Sequence, residues 1–368
     1  MDLTIRKSEL LKELQYVQGV VERKTTVPIL SNLLLETSGN FLQITATDLD
    51  VTLRCSCRAE VKVSGAFTVS ARKLFDIVRL LPEADIHFKS TSPDWVQVVC
   101  QRSKFKLAGL SKENFPDIPT VKGESMTLPG RALRYMIPRC VFAITQEESR
   151  YTLNGALLIV RPSGITLVTT DGHRLAFLSH ACDVAGADSE SRVLVPKKTL
   201  VELSKLTTED VEAVTFGHSE NHLFFKVADR LLVSRILSGQ FPNFEMVIPK
   251  DNEHRARIVT LDLVEALRRS AVMADELSRA VRFSLKSNQL DLSAASADVG
   301  EASESVPIEY ADEPIEIGFN AYYMLDFLTT LESEKVDLWL KDRETQGLLN
   351  PAEKGDFEYS YVIMPMKI

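Results

Sequence analysis

Two kinds of hydrophobic pattern alternate along the chain, and together they predict a succession of helices and strands. One is helical spacing, as for Met324, Leu328 and Leu331, and the other is the strand-like alternation of ITLVTTD (165–171). Pro138 lies inside one helical stretch, where a missing backbone N–H predicts a kink. The predicted helices cover residues 8–21, 71–81, 129–144, 196–206, 261–274 and 320–331.

The pattern repeats three times. A strand that runs into a helix recurs at intervals of 126 and 124 residues, in TVSARKLFDI (68–77), LVPKKTLVEL (194–203) and GFNAYYMLDF (318–327). A period this long is typical of whole domains rather than of a solenoid. We therefore expect three copies of one α+β domain, each with two helices packed on antiparallel sheets. The expected boundaries are 1–123, 124–252 and 253–368.

Composition and cysteine usage narrow the class of protein. Hydrophobic residues make up 45% and charged residues 26%, which is typical of globular domains. The five cysteines are scattered and odd in number, so we expect reduced structural thiols. The sequence shows neither a signal-peptide core nor an apolar run long enough to span a bilayer. We expect a cytoplasmic protein with no membrane partner.

Charge is distributed unevenly between the predicted elements. The chain has a net charge of −8, but the helices with their flanking residues together carry +7, which leaves −15 on the rest. The charge is counted over residues 7–24, 71–81, 129–145, 196–206, 261–272 and 320–331. One explanation is that Lys and Arg simply favour helices. The other is that the helices of all copies face one polyanion, such as the backbone of duplex DNA, bound without sequence specificity. A DNA-binding module or scaffold with such a surface need not enclose the DNA.

The stretch TTDGHRLA (169–176) brings acid, imidazole and guanidinium groups together and raises the possibility of an enzyme. The sequence lacks the Gly-x-Ser-x-Gly motif of a nucleophile elbow, and its histidines form no metal-binding set. In the repeats, the counterparts of Asp171 are Asp48 and Ser296, all of which follow a strand. Polar residues at such positions form turns. We therefore expect Asp171 to shape a turn, with no catalysis, metal or cofactor.

Several stretches resemble a known family, the bacterial sliding clamp, which is the beta subunit of DNA polymerase III. They span the chain in order: TVPILSNLLLE (26–36), ATDLD (46–50), ARKLFDIVR (71–79), RYTLNG (150–155), TTDGHRLA (169–176), FPNFEMVIPK (241–250), EIGFNAYYMLDFL (316–328) and YVIMPMKI (361–368). The resemblance implies a processivity factor, a head-to-tail homodimer whose six domains close a ring around duplex DNA. Such a ring reconciles an acidic protein with DNA, because the basic helices line the hole.

The resemblance also implies functional residues. The DNA contacts implied are Lys24, Arg72, Gln146, Tyr151 and Thr152. Relatives can carry a tyrosine at the position of Thr152, and Glu147 is an alternative to Gln146. Tyr151 has a second interpretation, as a packing residue at a domain boundary. For the subunit interface we expect Phe105 and Leu107 on an edge strand, facing Val272 and Met273 of the second subunit.

The partners implied by the resemblance are the polymerase catalytic subunit, the clamp loader and other proteins with clamp-binding peptides. Such peptides often carry a Gln together with leucine or phenylalanine anchors. A cleft of Leu, Val, Pro and Met side chains suits varied partners, since Met adapts its shape. The implied pocket residues are Leu153, Thr170, Gly172, His173, Arg174, Leu175, Pro242, Val247, Val362, Met364, Pro365 and Met366.

Overall fold

The structure is a computed structural model, and it describes residues 1–22, 26–92, 94–120, 125–147, 149–296 and 300–367. Within these residues a helix lies at each of the six predicted positions. The helices are α1 (Lys7–Val17), α2 (Ala71–Leu80), α3 (Gly130–Cys140), α4 (Lys197–Leu206), α5 (Thr260–Ala271) and α6 (Ala321–Leu328). None of the helices in the described residues is both long and apolar enough to cross a membrane.

The strands between the helices follow one order three times, which confirms the predicted repeat. Each copy runs through a strand, a helix, several strands, a second helix and three final strands. The strands are β1 (Asp2–Arg6), β2 (Asn32–Ser38), β3 (Phe41–Thr47), β4 (Val51–Arg58), β5 (Glu60–Val63), β6 (Ala66–Ser70), β7 (Asp85–Ser92), β8 (Trp95–Cys100), β9 (Ser103–Ala108), β10 (Ser125–Pro129), β11 (Gly155–Arg161), β12 (Gly164–Thr170), β13 (Arg174–Ala181), β14 (Ser191–Pro196), β15 (Ala213–His218), β16 (His222–Val227), β17 (Arg230–Arg235), β18 (His254–Val259), β19 (Ala280–Lys286), β20 (Gln289–Ser296), β21 (Gly300–Glu309), β22 (Ile315–Asn320), β23 (Lys335–Leu340), β24 (Gly347–Pro351) and β25 (Phe357–Ile363).

Local chemistry helps to explain where α3 ends and where α6 begins and ends. Pro138 lies inside α3, and the helix ends soon after it, at Cys140, where a 3-10 turn follows. Asn320 caps α6, because its side-chain oxygen accepts the N–H groups of two residues in the first turn. At the other end of α6, the Thr329 hydroxyl donates to the carbonyl of Leu325 at 2.7 Å. This competition with the backbone helps to end α6 before its predicted limit.

The chain divides into two compact units. Unit 1 comprises Met1–Arg134 and Lys198–Ile236, and unit 2 comprises Tyr135–Lys197 and Leu237–Ile368. Unit 1 contains a five-stranded sheet, β5-β1-β7-β8-β9, and an eight-stranded sheet, β10-β15-β16-β17-β4-β3-β2-β6. In the larger sheet, β17 of the second copy pairs antiparallel with β4 of the first. The buried side of α1 packs on β3 and β4 and against α2.

Unit 2 contains one antiparallel sheet of twelve strands, in the order β14-β11-β12-β13-β25-β24-β23-β18-β21-β20-β19-β22. Here β13 of the second copy pairs with β25, the last strand of the chain, with Leu175 opposite Val362. Helices α5 and α6 contact each other, and α5 packs on β20 and β21. The pairing of β13 with β25 places the TTDGHRLA turn beside the chain terminus.

Candidate functional site

The turn between β12 and β13 carries the polar groups of TTDGHRLA. Asp171 Oδ1 accepts hydrogen bonds from the backbone N–H groups of His173 at 2.9 Å and Arg174 at 3.1 Å. Gly172 has a φ of +89°, a left-handed conformation that favours glycine. Thr170 Oγ1 accepts from the N–H of Gly172 at 3.1 Å and donates to the carbonyl of Arg174 at 2.6 Å. The prediction that Asp171 shapes a turn is confirmed.

The side chain of Arg174 lies beneath this turn and is only 8% exposed. Its Nε donates to Asp171 Oδ2 at 3.0 Å, its Nη1 to Asp326 Oδ2 at 2.6 Å, and its Nη2 to the carbonyl of Phe142 at 2.8 Å. Burial by itself lowers the pKa of Arg174, but Tyr361 and the two carboxylates raise it, and the net shift is upward. The guanidinium therefore stays charged, and it links the turn to Asp326 and to the carbonyl of Phe142.

A buried apolar cluster forms a floor next to the turn. Three of the predicted pocket residues, Leu153, Leu175 and Val362, belong to it. Partly buried side chains, among them Phe177 and Leu348, pack against the same cluster. The buried members of this apolar floor are Leu153, Leu157, Ile159, Val168, Leu175, Leu194, Phe241, Phe244 and Val362.

The other predicted pocket residues differ in exposure. Gly172, His173, Pro242, Val247 and Met364 are exposed, Pro365 and Met366 are half-buried, and Thr170 and Arg174 are buried. The N–H of Met364 donates to the carbonyl of His173 at 2.9 Å, which ties the terminal segment to the turn. All twelve predicted residues lie in unit 2.

Arg150 and Met246 lie at this site and were not predicted, while Gln346 belongs to the segment 342–346 that the resemblance places near the pocket rim. Arg150 Nη1 donates to the carbonyl of Asp171 at 3.0 Å, and Gln346 Nε2 donates to the carbonyl of Val247 at 3.2 Å. Met246 is largely exposed next to Val247. The stretches RYTLNG and FPNFEMVIPK already contain Arg150 and Met246. A linear pattern does not show which of their side chains reach the surface.

The residues expected to contact DNA lie in both units. Lys24 is outside the described residues. Arg72 stands in the first turn of α2 in unit 1, and its side chain is 90% exposed. Gln146, Tyr151 and Thr152 belong to unit 2, where Gln146 is exposed and Thr152 is half-buried. Tyr151 is 71% exposed, which argues against its alternative interpretation as a packing residue.

The residues expected at the subunit interface occupy an edge strand and a helix end. Phe105 and Leu107 lie on one side of β9, which is the last strand of the five-stranded sheet, as predicted for an edge strand. Both are half-buried within unit 1. Val272 directly follows α5 in unit 2 and is exposed, and Met273 beside it is half-buried.

Histidine, cysteine and acidic side chains also occur outside the turn. Among the residues that the structure describes, no group of three or more His, Cys, Asp or Glu side chains could hold a metal ion. All five cysteines are free thiols, and four of them are buried. Burial raises the pKa of Cys57 to about 12, so its thiol is a poor nucleophile near neutral pH.

Three family models match the chain in succession. They describe the N-terminal domain of the DNA polymerase III beta subunit at residues 1–119, the central domain at 127–243 and the C-terminal domain at 245–367. The beta sliding clamp of Pseudomonas putida is 36% identical, and the alignment covers 100% of both chains. That of Chlamydia pneumoniae is 32% identical over 100% of this chain and 99% of its own.

Solved structures agree with these relatives. The sliding clamp of Pseudomonas aeruginosa bound to griselimycin is similar with a TM-score of 0.94 at 35% identity. The clamp of Bartonella birtlesii bound to griselimycin has a TM-score of 0.94 at 34% identity, and both cover 100% of each chain. The chain thus belongs to the family of the DNA polymerase III beta subunit, the bacterial sliding clamps, which are processivity factors of DNA replication and not enzymes.

Proposed function

We propose that the peptide-binding cleft of this clamp consists of the apolar floor together with an exposed rim of His173, Val247 and Met364. Through this cleft the clamp binds the polymerase catalytic subunit, the clamp loader and other partners. The observation that carries the proposal is the buried apolar floor beside exposed Val and Met side chains, within one unit. The exposed apolar side chains of the rim can cover the leucine or phenylalanine anchors of a short peptide.

The chemistry of the rim suits many partners of moderate affinity. Each fully buried leucine or phenylalanine anchor contributes about 1.5–3 kcal/mol, so two anchors support a complex that forms and dissociates readily. The flexible thioethers of Met246 and Met364 adapt to different anchors. Arg150 and Gln346 lie beside the rim, where their N–H groups can donate to a peptide backbone or to a glutamine side chain.

We also propose that two copies associate head to tail, with β9 of one against the end of α5 of the other. Phe105 and Leu107 would then meet Val272 and Met273, and this heterologous contact closes into a ring. The exposed edge of β9 supports the proposal, because such an edge requires a partner or a cover.

The DNA contacts are proposed on residues of both units, of which Arg72, Gln146 and Tyr151 are exposed. Arg72 and Tyr151 offer a charged and an aromatic group, and with Lys24, Gln146 and Thr152 they would contact the backbone of the encircled duplex. Contacts of this kind carry no sequence information, so the ring slides and retention depends on topology.

The domain boundaries proposed are 1–123, 124–252 and 253–368, and the ranges of the three family models support them. We place the protein in the bacterial cytoplasm, at the replicating DNA. The reduced cysteines support that location, since disulfides are rare in the cytoplasm.

The cleft is tested with a reporter peptide, a fluorescein-labelled synthetic pentapeptide with one Gln and with leucine and phenylalanine anchors. Met364→Ala should weaken its binding about tenfold by fluorescence anisotropy, because one exposed apolar wall is lost. Leu261→Ala is the matched control, since Leu261 is an exposed apolar residue at the start of α5. Equal affinities for Met364→Ala and the unchanged protein would refute the cleft.

Deletion of residues 364–368 is a stronger version of the same test. It should abolish reporter binding and leave the sedimentation coefficient of the dimer unchanged. The deletion also removes the hydrogen bond from the N–H of Met366 to the carbonyl of Gly318, so the point variant is the cleaner measurement.

The ring is tested on DNA of different topology. Clamp loaded on nicked circular DNA should stay bound through gel filtration and should be lost when the DNA is linearised. Retention that does not depend on topology would favour the alternative of an open DNA-binding module.

A further inference from the structure

We infer that Asp326 is a positioning residue of the peptide-binding cleft. Through its ion pair with Arg174, it fixes the turn 170–174, which forms one wall of the cleft. The inference rests on the proposed function of the cleft, and it adds a residue outside the predicted pocket.

The ion pair links a helix to the turn. Asp326 lies on α6, and its Oδ2 is 2.6 Å from Nη1 of Arg174. Its side chain is 44% exposed, while that of Arg174 is 8% exposed. The rings of Phe142 and Tyr323 lie 5.3 and 4.1 Å from the guanidinium carbon and limit its movement. Asp326 therefore binds a guanidinium group that the two rings already confine.

The guanidinium passes this constraint to the wall. Arg174 Nε binds Oδ2 of Asp171, and Oδ1 of the same carboxylate accepts the backbone N–H groups of His173 and Arg174. The carbonyl of His173 in turn accepts the N–H of Met364. A shift of the guanidinium therefore moves the Asp171 carboxylate, the turn and the first residue of the terminal segment together.

The corresponding turn of the first repeat is held by an ion pair between different residues. There Asp48 accepts the N–H groups of Asp50 at 3.0 Å and Val51 at 2.6 Å, and it pairs with Lys198 of α4. In both cases a charged residue on the second helix of the next repeat holds the turn. In unit 2, however, the contact runs through Arg174, whose counterpart in the first repeat is the apolar Val51. The three-residue arrangement of Asp171, Arg174 and Asp326 thus accompanies the turn that borders the cleft.

The contacts of Asp326 favour positioning over direct binding of a peptide. Its carboxylate is bound to a buried cation, and the residues of the rim belong to other segments of unit 2. Loss of the carboxylate leaves Arg174 with Asp171 as its one remaining carboxylate partner among those described. Without this ion pair the guanidinium can move towards solvent, and the turn moves with it.

The test compares Asp326→Asn, Asp326→Glu and a control, Glu265→Gln. Glu265 is an exposed acid on α5 whose nearest ion pair is long, at 3.9 Å. Asp326→Asn should weaken binding of the reporter peptide five- to tenfold, Asp326→Glu should recover most of that loss, and Glu265→Gln should change nothing. A melting curve of each variant confirms that the protein is folded.

A second readout separates positioning from general stability. In protein labelled with ¹³C-methyl methionine, the Met364 resonance of Asp326→Asn should shift in the absence of peptide, while Glu265→Gln leaves it in place. Reporter affinity within twofold of the unchanged protein for Asp326→Asn would overturn the inference, and so would an unshifted Met364 methyl. If the unchanged protein does not bind the reporter, or if Met364→Ala binds normally, the proposed cleft itself fails.

Discussion

A buried ion pair in unit 1 should make a large and measurable contribution to stability. Glu13 on α1 and Arg230 on β17 belong to different repeats, and their side chains are 7% and 13% exposed. Arg230 Nε donates to Glu13 Oε2 at 2.8 Å, and its Nη2 donates to Oε1 at 2.5 Å. The ring of Tyr16 lies 4.3 Å from the guanidinium carbon. Burial by itself lowers the pKa of Arg230, but the contact with Glu13 raises it, and the net shift is upward.

The size of the effect depends on what remains after substitution. Glu13→Gln leaves a buried guanidinium without its carboxylate, which costs about 3–5 kcal/mol. Replacing both residues by methionine removes both buried charges, and such replacements are often neutral or stabilising. At about 2–4 °C per kcal/mol, the single variant should lower the melting temperature of unit 1 by about 10 °C.

Differential scanning calorimetry tests this prediction, because the two units can unfold in separate transitions. Only the transition of unit 1 should move in Glu13→Gln, and the Glu13→Met/Arg230→Met double variant should stay near the unchanged protein. Glu309→Gln is the control: it breaks an exposed pair with Lys335 at 2.7 Å and should cost less than about 1 kcal/mol. A loss for Glu13→Gln as small as that of the control would refute the reasoning, and so would a double variant as unstable as the single one.

Three further predictions follow from the same structure. Iodoacetamide should label Cys182, which is half-buried, before the four buried cysteines, which react only after unfolding, as peptide mass spectrometry can show. Gly172→Ala should destabilise the protein by about 1 kcal/mol and weaken reporter binding, since φ is positive and the new Cβ lies 2.7 Å from Arg150 Nη1; unchanged melting and binding would contradict this. Val272→Ala combined with Met273→Ala should shift the dimer towards monomer in sedimentation velocity, and an intact dimer at submicromolar concentration would exclude this interface.

Local features were predictable from the sequence because their causes are local. The starts of α2, α4 and α6 follow a strand-to-helix change that repeats at nearly constant spacing, and the turn at Asp171 depends on hydrogen bonds to neighbouring residues. Positions of the cleft residues came from the resemblance to a family rather than from periodicity.

Contacts between distant segments were not predictable in the same way. Arg174 and Asp326 are 152 residues apart, and no hydrophobic period connects them. The pairing of β13 with β25 likewise joins edges of two repeats, and each strand pattern alone fits any antiparallel neighbour. Helix α6 ends at Leu328 rather than at the predicted residue 331, because the Thr329 hydroxyl competes locally with the helical backbone.

The pairing of β13 with β25 has a consequence for the time at which the protein becomes active during its synthesis. Residues 169–176 are synthesised long before their neighbouring strand, β25. Chains generally fold in order from the N-terminus as they are made. The edge of β13 therefore stays unpaired until β25 has been made, and the proposed cleft forms only after that pairing.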